Sequence, residues 1–146
     1  MAGASERESG GSRAAGAAEV EVRVRYAETD QQGVAYHAHY FVWMEIARTE
    51  YLKALGFPYE RLEKEGLLFA VSEASCRYGG AARYEDTVRV EARVVEVRSR
   101  AVVFEYGISV AGTRIAEGRT TLIAMDADRR PRRIPAEIVA ALRAGE

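Results

Sequence analysis

Tyr26-Ala27-Glu28-Thr29-Asp30-Gln31-Gln32-Gly33-Val34-Ala35-Tyr36-His37 closes a strand-like run and leads straight into a helix-like one. Upstream, Val20, Val22 and Val24 alternate with Glu21, Arg23 and Arg25, the period of a half-buried strand. Downstream, from about Tyr40 to Leu55, Trp43, Met44, Ala47, Tyr51, Ala54 and Leu55 recur near the helical period. Phe41, Ile46 and Leu52 widen that face, so the spacing predicts a central helix wrapped on several sides. The linking segment holds a carboxylate, a glycine, a histidine and two tyrosines between two regular elements. Polar loops of this kind, held by a rigid scaffold, commonly carry function.

Past the helix, Gly56 supplies a stop and Pro58 blocks continuation. Residues 58–65 read as a short amphipathic helix ending at Gly66. The remainder of the chain is mostly strand. Leu67 to Tyr78 is one run, closed by Gly79-Gly80. In Thr87 to Val97 the apolar phase runs Val88, Val90, Ala92, Val94 and then slips to Val95 and Val97, which predicts a bulge. Arg98-Ser99-Arg100 is a turn, and Val102, Phe104, Tyr106, Ile108 and Val110 form the next strand. Ala111-Gly112-Thr113 is a tight hairpin signal before a last strand, Arg114 to Met125. Ile134 to Arg143 reads as a closing helix with Pro135 in its first turn. A long helix followed by strands in hairpin succession predicts an α+β fold with an antiparallel sheet, five strands in all. One sheet face takes the helix, leaving the other face or an edge for a partner subunit.

The chain of 146 residues fits one domain, taken as residues 19–146, with a Gly/Ala/Ser-rich flexible tail at residues 1–18. A formal net charge of −1 gives no global basic field for nucleic acid or membrane. Cys76 is the only cysteine, so an intrachain disulfide and a cysteine zinc cluster are both excluded. The chain has no apolar run of about 18 residues and no basic, apolar start of the secretory kind. A cytoplasmic location fits these features.

Asp30 leads the candidate reactive groups. A carboxylate can serve as general base toward water or attack a carbonyl directly. On a loop entering a helix it lies near backbone N–H groups that can hold a developing oxyanion. The same residue type also serves as an ordinary turn or cap residue, and by itself Asp30 reads as either. His37 and His39 are the only histidines, too few for a zinc site without further ligands, so no metal is expected. Tyr26 and Tyr36 flank the loop, either as hydrogen-bond donors to a bound carbonyl or as aromatic packing. Glu45 and Arg48, at i and i+3 among apolar neighbours, read as a structural ion pair, with Glu45 as a second catalytic carboxylate in the alternative. Arg129, Arg130, Arg132 and Arg133 cluster around Pro131, either as a phosphate clamp or as a solvated turn; Arg98 and Arg100 lie in another turn. The nucleophile elbow, the Walker loop and the dinucleotide-binding glycine fingerprint are all missing from the sequence.

The pattern Tyr26-x-Glu28-Thr29-Asp30-x-x-Gly33-Val34-x-Tyr36-His37-x-x-Tyr40, followed by Glu45-x-Ala47-Arg48-Thr49-Glu50, resembles the 4-hydroxybenzoyl-CoA thioesterase family of hotdog-fold proteins. It is similar in particular to the short-chain and aromatic acyl-CoA thioesterases associated with the bacterial Tol–Pal system. The likeness spans about Val20 to Pro135. It implies a hotdog fold, in which the five-stranded sheet wraps the long helix, and homodimers or homotetramers with sites at the dimer interface. It also implies thioester hydrolysis of an acyl-CoA, with coenzyme A as part of the substrate and no separate cofactor. By the same resemblance Asp30 is nucleophile or general base and the His37 amide binds the thioester oxygen. Tyr26 and the His37 side chain fall at positions that influence activity, Gly33 and Tyr36 border the substrate, and Arg129, Arg130 and Arg132 meet its phosphates. Ala27 and Gln31-Gln32 depart from the acidic residue and second glycine of many relatives, which bears on acyl preference. Other readings are a thioesterase acting on acyl-carrier protein, a non-catalytic acyl-CoA sensor, and a dehydratase of 3-hydroxyacyl thioesters.

Overall fold

The computed structural model describes residues 17–146. The tail expected over residues 1–18 falls, except for its last two residues, outside the described residues. Ala17 and Ala18 already belong to the first strand. The elements are β1 (Ala17–Arg23), a 3-10 turn (Tyr26–Glu28), α1 (His39–Ala54), α2 (Tyr59–Lys64), β2 (Leu68–Tyr78), β3 (Thr87–Val97), β4 (Ala101–Val110), β5 (Thr113–Met125) and α3 (Ala136–Ala144). The strands form one antiparallel sheet in the order β1-β3-β4-β5-β2, and α1 lies across it. This is the hotdog architecture, α+β, with the long helix packed against one face of the curled sheet.

Side-chain alternation sorts the sheet into two faces. Val88, Val90, Ala92 and Val94 of β3 and Phe104, Tyr106 and Ile108 of β4 are buried toward the helix. They receive Trp43, Met44, Ala47 and Tyr51 of α1 in one continuous core. Fit at this interface is close: a Cβ on Gly118 would collide with the Met44 Cε, so the bare backbone of β5 is what seats that side chain. The opposite face is charged, with Arg93 and Arg119 both paired to Glu105 and Arg114 to Glu117. A step of one residue in register would exchange these faces, so the bulge between Val94 and Glu96, at the predicted phase slip, is needed to keep Val97 buried. The β4–β5 hairpin turns through Ala111 (φ 50°) and Gly112 (φ 82°), the two positive angles that match strand twist.

Two expectations for α1 need correction. The helix is covered on one side rather than several: Val42 and Ile46 remain 47% and 38% exposed, because a single sheet can wrap only about half of a helix. Glu45 is exposed, and the Glu45–Arg48 ion pair does not form among the described residues. Arg48 instead donates to the Tyr106 hydroxyl at 3.4 Å, which in turn shares a 2.7 Å hydrogen bond with Thr120. Arg48 points under the helix toward the core and Glu45 away from it, so their i, i+3 spacing does not bring them together.

Candidate active site

The segment between β1 and α1 folds back on itself as a narrow hairpin. The Asp30 amide donates to the Val34 carbonyl at 2.9 Å, and the Gly33 amide donates back to the Asp30 carbonyl at 3.0 Å. Lower down, the Tyr36 amide donates to the Glu28 carbonyl at 2.8 Å, and Thr29 bridges Ala35. Gly33 adopts φ +83°, the left-handed region that other residues resist, so the predicted need for glycine is met at the tip. The outer strand of this hairpin is tied to the loop after β2, where the Ala35 amide donates to the Ala82 carbonyl at 2.8 Å.

Asp30 sits near the tip, half-buried. Its Oδ1 accepts a 2.8 Å hydrogen bond from the Gln32 amide. This holds one carboxylate oxygen and leaves Oδ2 without a protein donor among the described residues. The cap reading and the catalytic reading of Asp30 are therefore compatible: one oxygen orients the group, the other has no protein donor among the described residues.

At the base of the hairpin the chain enters α1. The amides of His39, Tyr40 and Phe41 are already used, donating to the carbonyls of Tyr36 (2.9 Å), His37 (3.3 Å) and Ala38 (3.2 Å). The two preceding amides, of His37 and Ala38, have no backbone acceptor among the described residues. Two adjacent unpaired N–H groups at the positive end of a 16-residue helix form a donor site for an oxyanion.

The remaining predicted residues separate. Tyr26 is 76% exposed; its ring meets Tyr84 edge-on at 5.7 Å and its carbonyl accepts from both the amide and the hydroxyl of Thr29, so it does not touch Asp30 within one chain. Tyr36 lies over the His37 ring at 4.4 Å, an exposed aromatic wall beside the helix start. Glu28, which the sequence marked only as one position of a longer pattern, is 6% exposed and closes the base of the loop: it accepts from the Arg25 amide at 2.9 Å and pairs with its guanidinium at 3.3 Å. Tyr78, at the end of β2, was not singled out from the sequence, yet its hydroxyl donates to the His37 carbonyl at 2.8 Å. Its period-2 position on β2 carries no hint of that contact.

The arginine cluster is elsewhere. β5 pairs with β2 so that Met125 faces Leu68, whereas Ala116 faces Tyr78 beside the Asp30 hairpin. Ten residues of strand, about 33 Å, separate the two ends. Asp126 organises the arginine turn, its Oδ1 accepting from the Asp128 and Arg130 amides at 2.9 Å each. Those amides, Arg130 first, hold its carboxyl below the usual carboxylate range. Arg132 is spent on structure, donating to the Glu65 and Gly66 carbonyls at 3.2 and 3.4 Å. Arg129 and Arg130 are exposed and form no ion pair among the described residues.

A carboxylate and backbone donors suit an acyl compound whose leaving group departs without being protonated. A thiolate does so, since a thiol ionises near about pH 8.5. Such a site on a hotdog sheet is chemically suited to thioester hydrolysis. In agreement, the family model of the Thioesterase-like superfamily matches residues 24–142, and the chain belongs to that superfamily. The acyl-CoA thioesterase YbgC of Haemophilus influenzae is 35% identical over 122 residues, 82% of this chain and 90% of that protein. YneP of Bacillus subtilis is 42% identical over a shorter span, 60% of this chain and 64% of that protein. Among solved structures, the hypothetical protein TT1821 of Thermus thermophilus superposes with a TM-score of 0.85 at 38% identity, covering 88% of this chain and 99% of that one. The DHNA-CoA thioesterase of Staphylococcus aureus superposes with a TM-score of 0.77 at 34% identity, covering 80% of each chain.

Proposed function

We propose that this protein hydrolyses the thioester of a short-chain or aromatic acyl-CoA to the free acid and coenzyme A. Asp30, through its unpaired oxygen, activates water or attacks the carbonyl carbon. Charge then builds on the carbonyl oxygen and is held by the His37 amide at the start of α1. The thiolate leaves, and the scheme calls for no metal or separate cofactor. The observation that carries this reading is the pairing on one short hairpin of a half-free carboxylate with a helix start whose leading amides are unpaired. The names of YbgC and of the DHNA-CoA thioesterase support coenzyme A as carrier, and the second of them an aromatic acyl group. A cytoplasmic enzyme is the corresponding setting; no helix among the described residues is long and apolar enough to cross a membrane.

The working form we propose is a homodimer, alone or paired into a tetramer. β2 is an edge strand of 11 residues with no partner on its outer side among the described residues, and Val71 on it is 48% exposed. An unpaired edge of that length is a template for a second strand. Antiparallel pairing of β2 with its copy sets the Tyr78 end of one chain against the Leu68 end of the other. That brings the partner's arginine turn, which comes after Met125 opposite Leu68, toward this chain's Asp30 hairpin. The gap of about 33 Å within one chain is thereby closed between chains, and the phosphates of coenzyme A can meet Arg129 and Arg130 while the thioester reaches Asp30.

The test is thiol release from a panel of short-chain, long-chain and aromatic acyl-CoAs, run beside Asp30→Asn. Turnover of at least one short or aromatic member, lost in the variant, supports the reading. An Asp30→Asn protein with wild-type turnover sinks it.

A further inference from the structure

Among the described residues, Tyr78 is the one side chain that reaches the backbone of the α1 start from another element by hydrogen bond. We infer that it is a positioning residue for the oxyanion site, and that the site has two donors, the Ala38 amide beside that of His37. The inference rests on the thioesterase reading above and deepens it.

Two consecutive peptide units are involved. The carbonyl of His37 and the N–H of Ala38 belong to one peptide group. Tyr78 donates to that carbonyl at 2.8 Å, so it draws electron density toward the oxygen and leaves the Ala38 N–H a stronger donor. The neighbouring unit is treated alike: the Tyr36 carbonyl accepts from the His39 amide at 2.9 Å, and its partner N–H is that of His37. Both unpaired amides thus sit on peptides whose oxygens are engaged. The His37 carbonyl also accepts from the Tyr40 amide, at a long 3.3 Å, so Tyr78 makes the closer bond.

The tyrosine is itself well held. Its ring meets Tyr40 edge-on at 4.9 Å and His37 at 6.2 Å. Immediately after it, the Gly79 and Gly80 amides both donate to the Ile115 carbonyl, at 2.8 and 3.0 Å, fixing where β2 ends. A Cβ on Gly80 would press on the Ile115 side chain at 3.1 Å, which keeps this exit tight. Desolvation first, then the Cys76 thiol and Tyr40, hold the Tyr78 phenol above its ordinary value, so it stays a protonated donor over the working range. β2 thereby links the helix start to the sheet edge at which we place the partner.

Tyr78→Phe keeps the ring contacts and removes only the O–H. Losing a direct oxyanion donor typically costs about 10²–10³ in kcat, so a donor one bond removed is expected to cost about tenfold. KM should change less than about twofold. A purely structural role would not produce that split, nor would it alter the bound carbonyl. Difference infrared spectra of benzoyl-CoA bound to Asp30→Asn and to Asp30→Asn/Tyr78→Phe supply the second readout. The thioester C=O stretch should be shifted down in the first and move back toward its solution frequency in the second. Unchanged kcat and an unchanged carbonyl frequency in the Phe variants overturn the inference while leaving the thioesterase reading intact. Full turnover in Asp30→Asn, by contrast, overturns that reading and this inference with it.

Discussion

Two loops cap opposite ends of the same pair of strands, and they spend their hydrogen bonds differently. The turn after β5 is closed on itself: Asp126 accepts two amides, and Arg132 satisfies the last carbonyls of the α2 region. The hairpin before α1 is closed along its sides but open at two points, Oδ2 of Asp30 and the amides of His37 and Ala38. Buried polar groups are nearly always paired within the protein, whereas solvent-facing ones such as these are free to meet water or a ligand. The hairpin therefore keeps a carboxylate oxygen and two amides available, as the proposed thioester chemistry requires. The arginine turn is a platform that presents three exposed arginines, Arg129, Arg130 and Arg133.

The largest effect should come from the hairpin. Asp30→Asn preserves the acceptor that holds Gln32 and removes the charge, so kcat should fall by about 10³ while the melting temperature stays within a few degrees. Assays of thiol release and a thermal melt check both halves. Next in size is the platform: Arg129→Ala/Arg130→Ala should raise KM for acyl-CoA about tenfold and leave kcat nearly unchanged, as for binding that is equal in ground and transition state. Mixing this double variant with Asp30→Asn sharpens the comparison. If the two loops meet across a dimer, half of the sites in a heterodimer are intact, and activity with a wild-type KM should reappear on co-refolding. No recovery would place both loops' roles within one chain.

Smaller effects concern stability. Arg132→Ala removes the cap on the Glu65 and Gly66 carbonyls and should cost about 1 kcal/mol, or about 3 °C in melting temperature, with kcat unchanged. An equal loss from Arg129→Ala would break the proposed division between spent and exposed arginines. The smallest change is expected at Tyr51, whose hydroxyl is buried without a partner among the described residues. Tyr51→Phe should be neutral or stabilising by less than about 1 kcal/mol, because it removes an unpaired polar group. Burial raises the Tyr51 pKa above its ordinary value of 10.0, so the folded state favours the protonated phenol. Its contribution is complete below the unfolded value and is lost as pH rises through the folded one. The Phe variant should therefore lose less stability than wild type as the pH rises above about 10, measured by denaturant melts on either side of that value.

Local patterns in the sequence were read well where the physics is local. Alternation in Val88 to Val94 and its slip at Val95 located both β3 and its bulge. Ala111-Gly112 named its hairpin because two positive φ angles need small residues. Gly33 and Asp30 marked the candidate loop for the same kind of reason: a turn of that shape and a carboxylate near a helix start are both short-range features. Glu45 and Arg48 do not pair as their spacing suggests, because spacing along a helix gives proximity but not which side of the core each residue faces. Arg132 gave no sign of its cap, since its acceptors lie 67 and 66 residues away in sequence.

The sequence by itself determined the elements, the α+β class and the segment that carries Asp30, because periodicity and turn chemistry are encoded within a few residues; the hotdog fold was implied by the resemblance of its motif to a known family. Only the tertiary structure decided that β2 lies at the sheet edge beside β5, that Tyr78 reaches the His37 carbonyl, and that the arginines stand at the far end of the sheet. Those facts depend on strand order and register, which arise from how distant faces bury one another and which no local pattern contains.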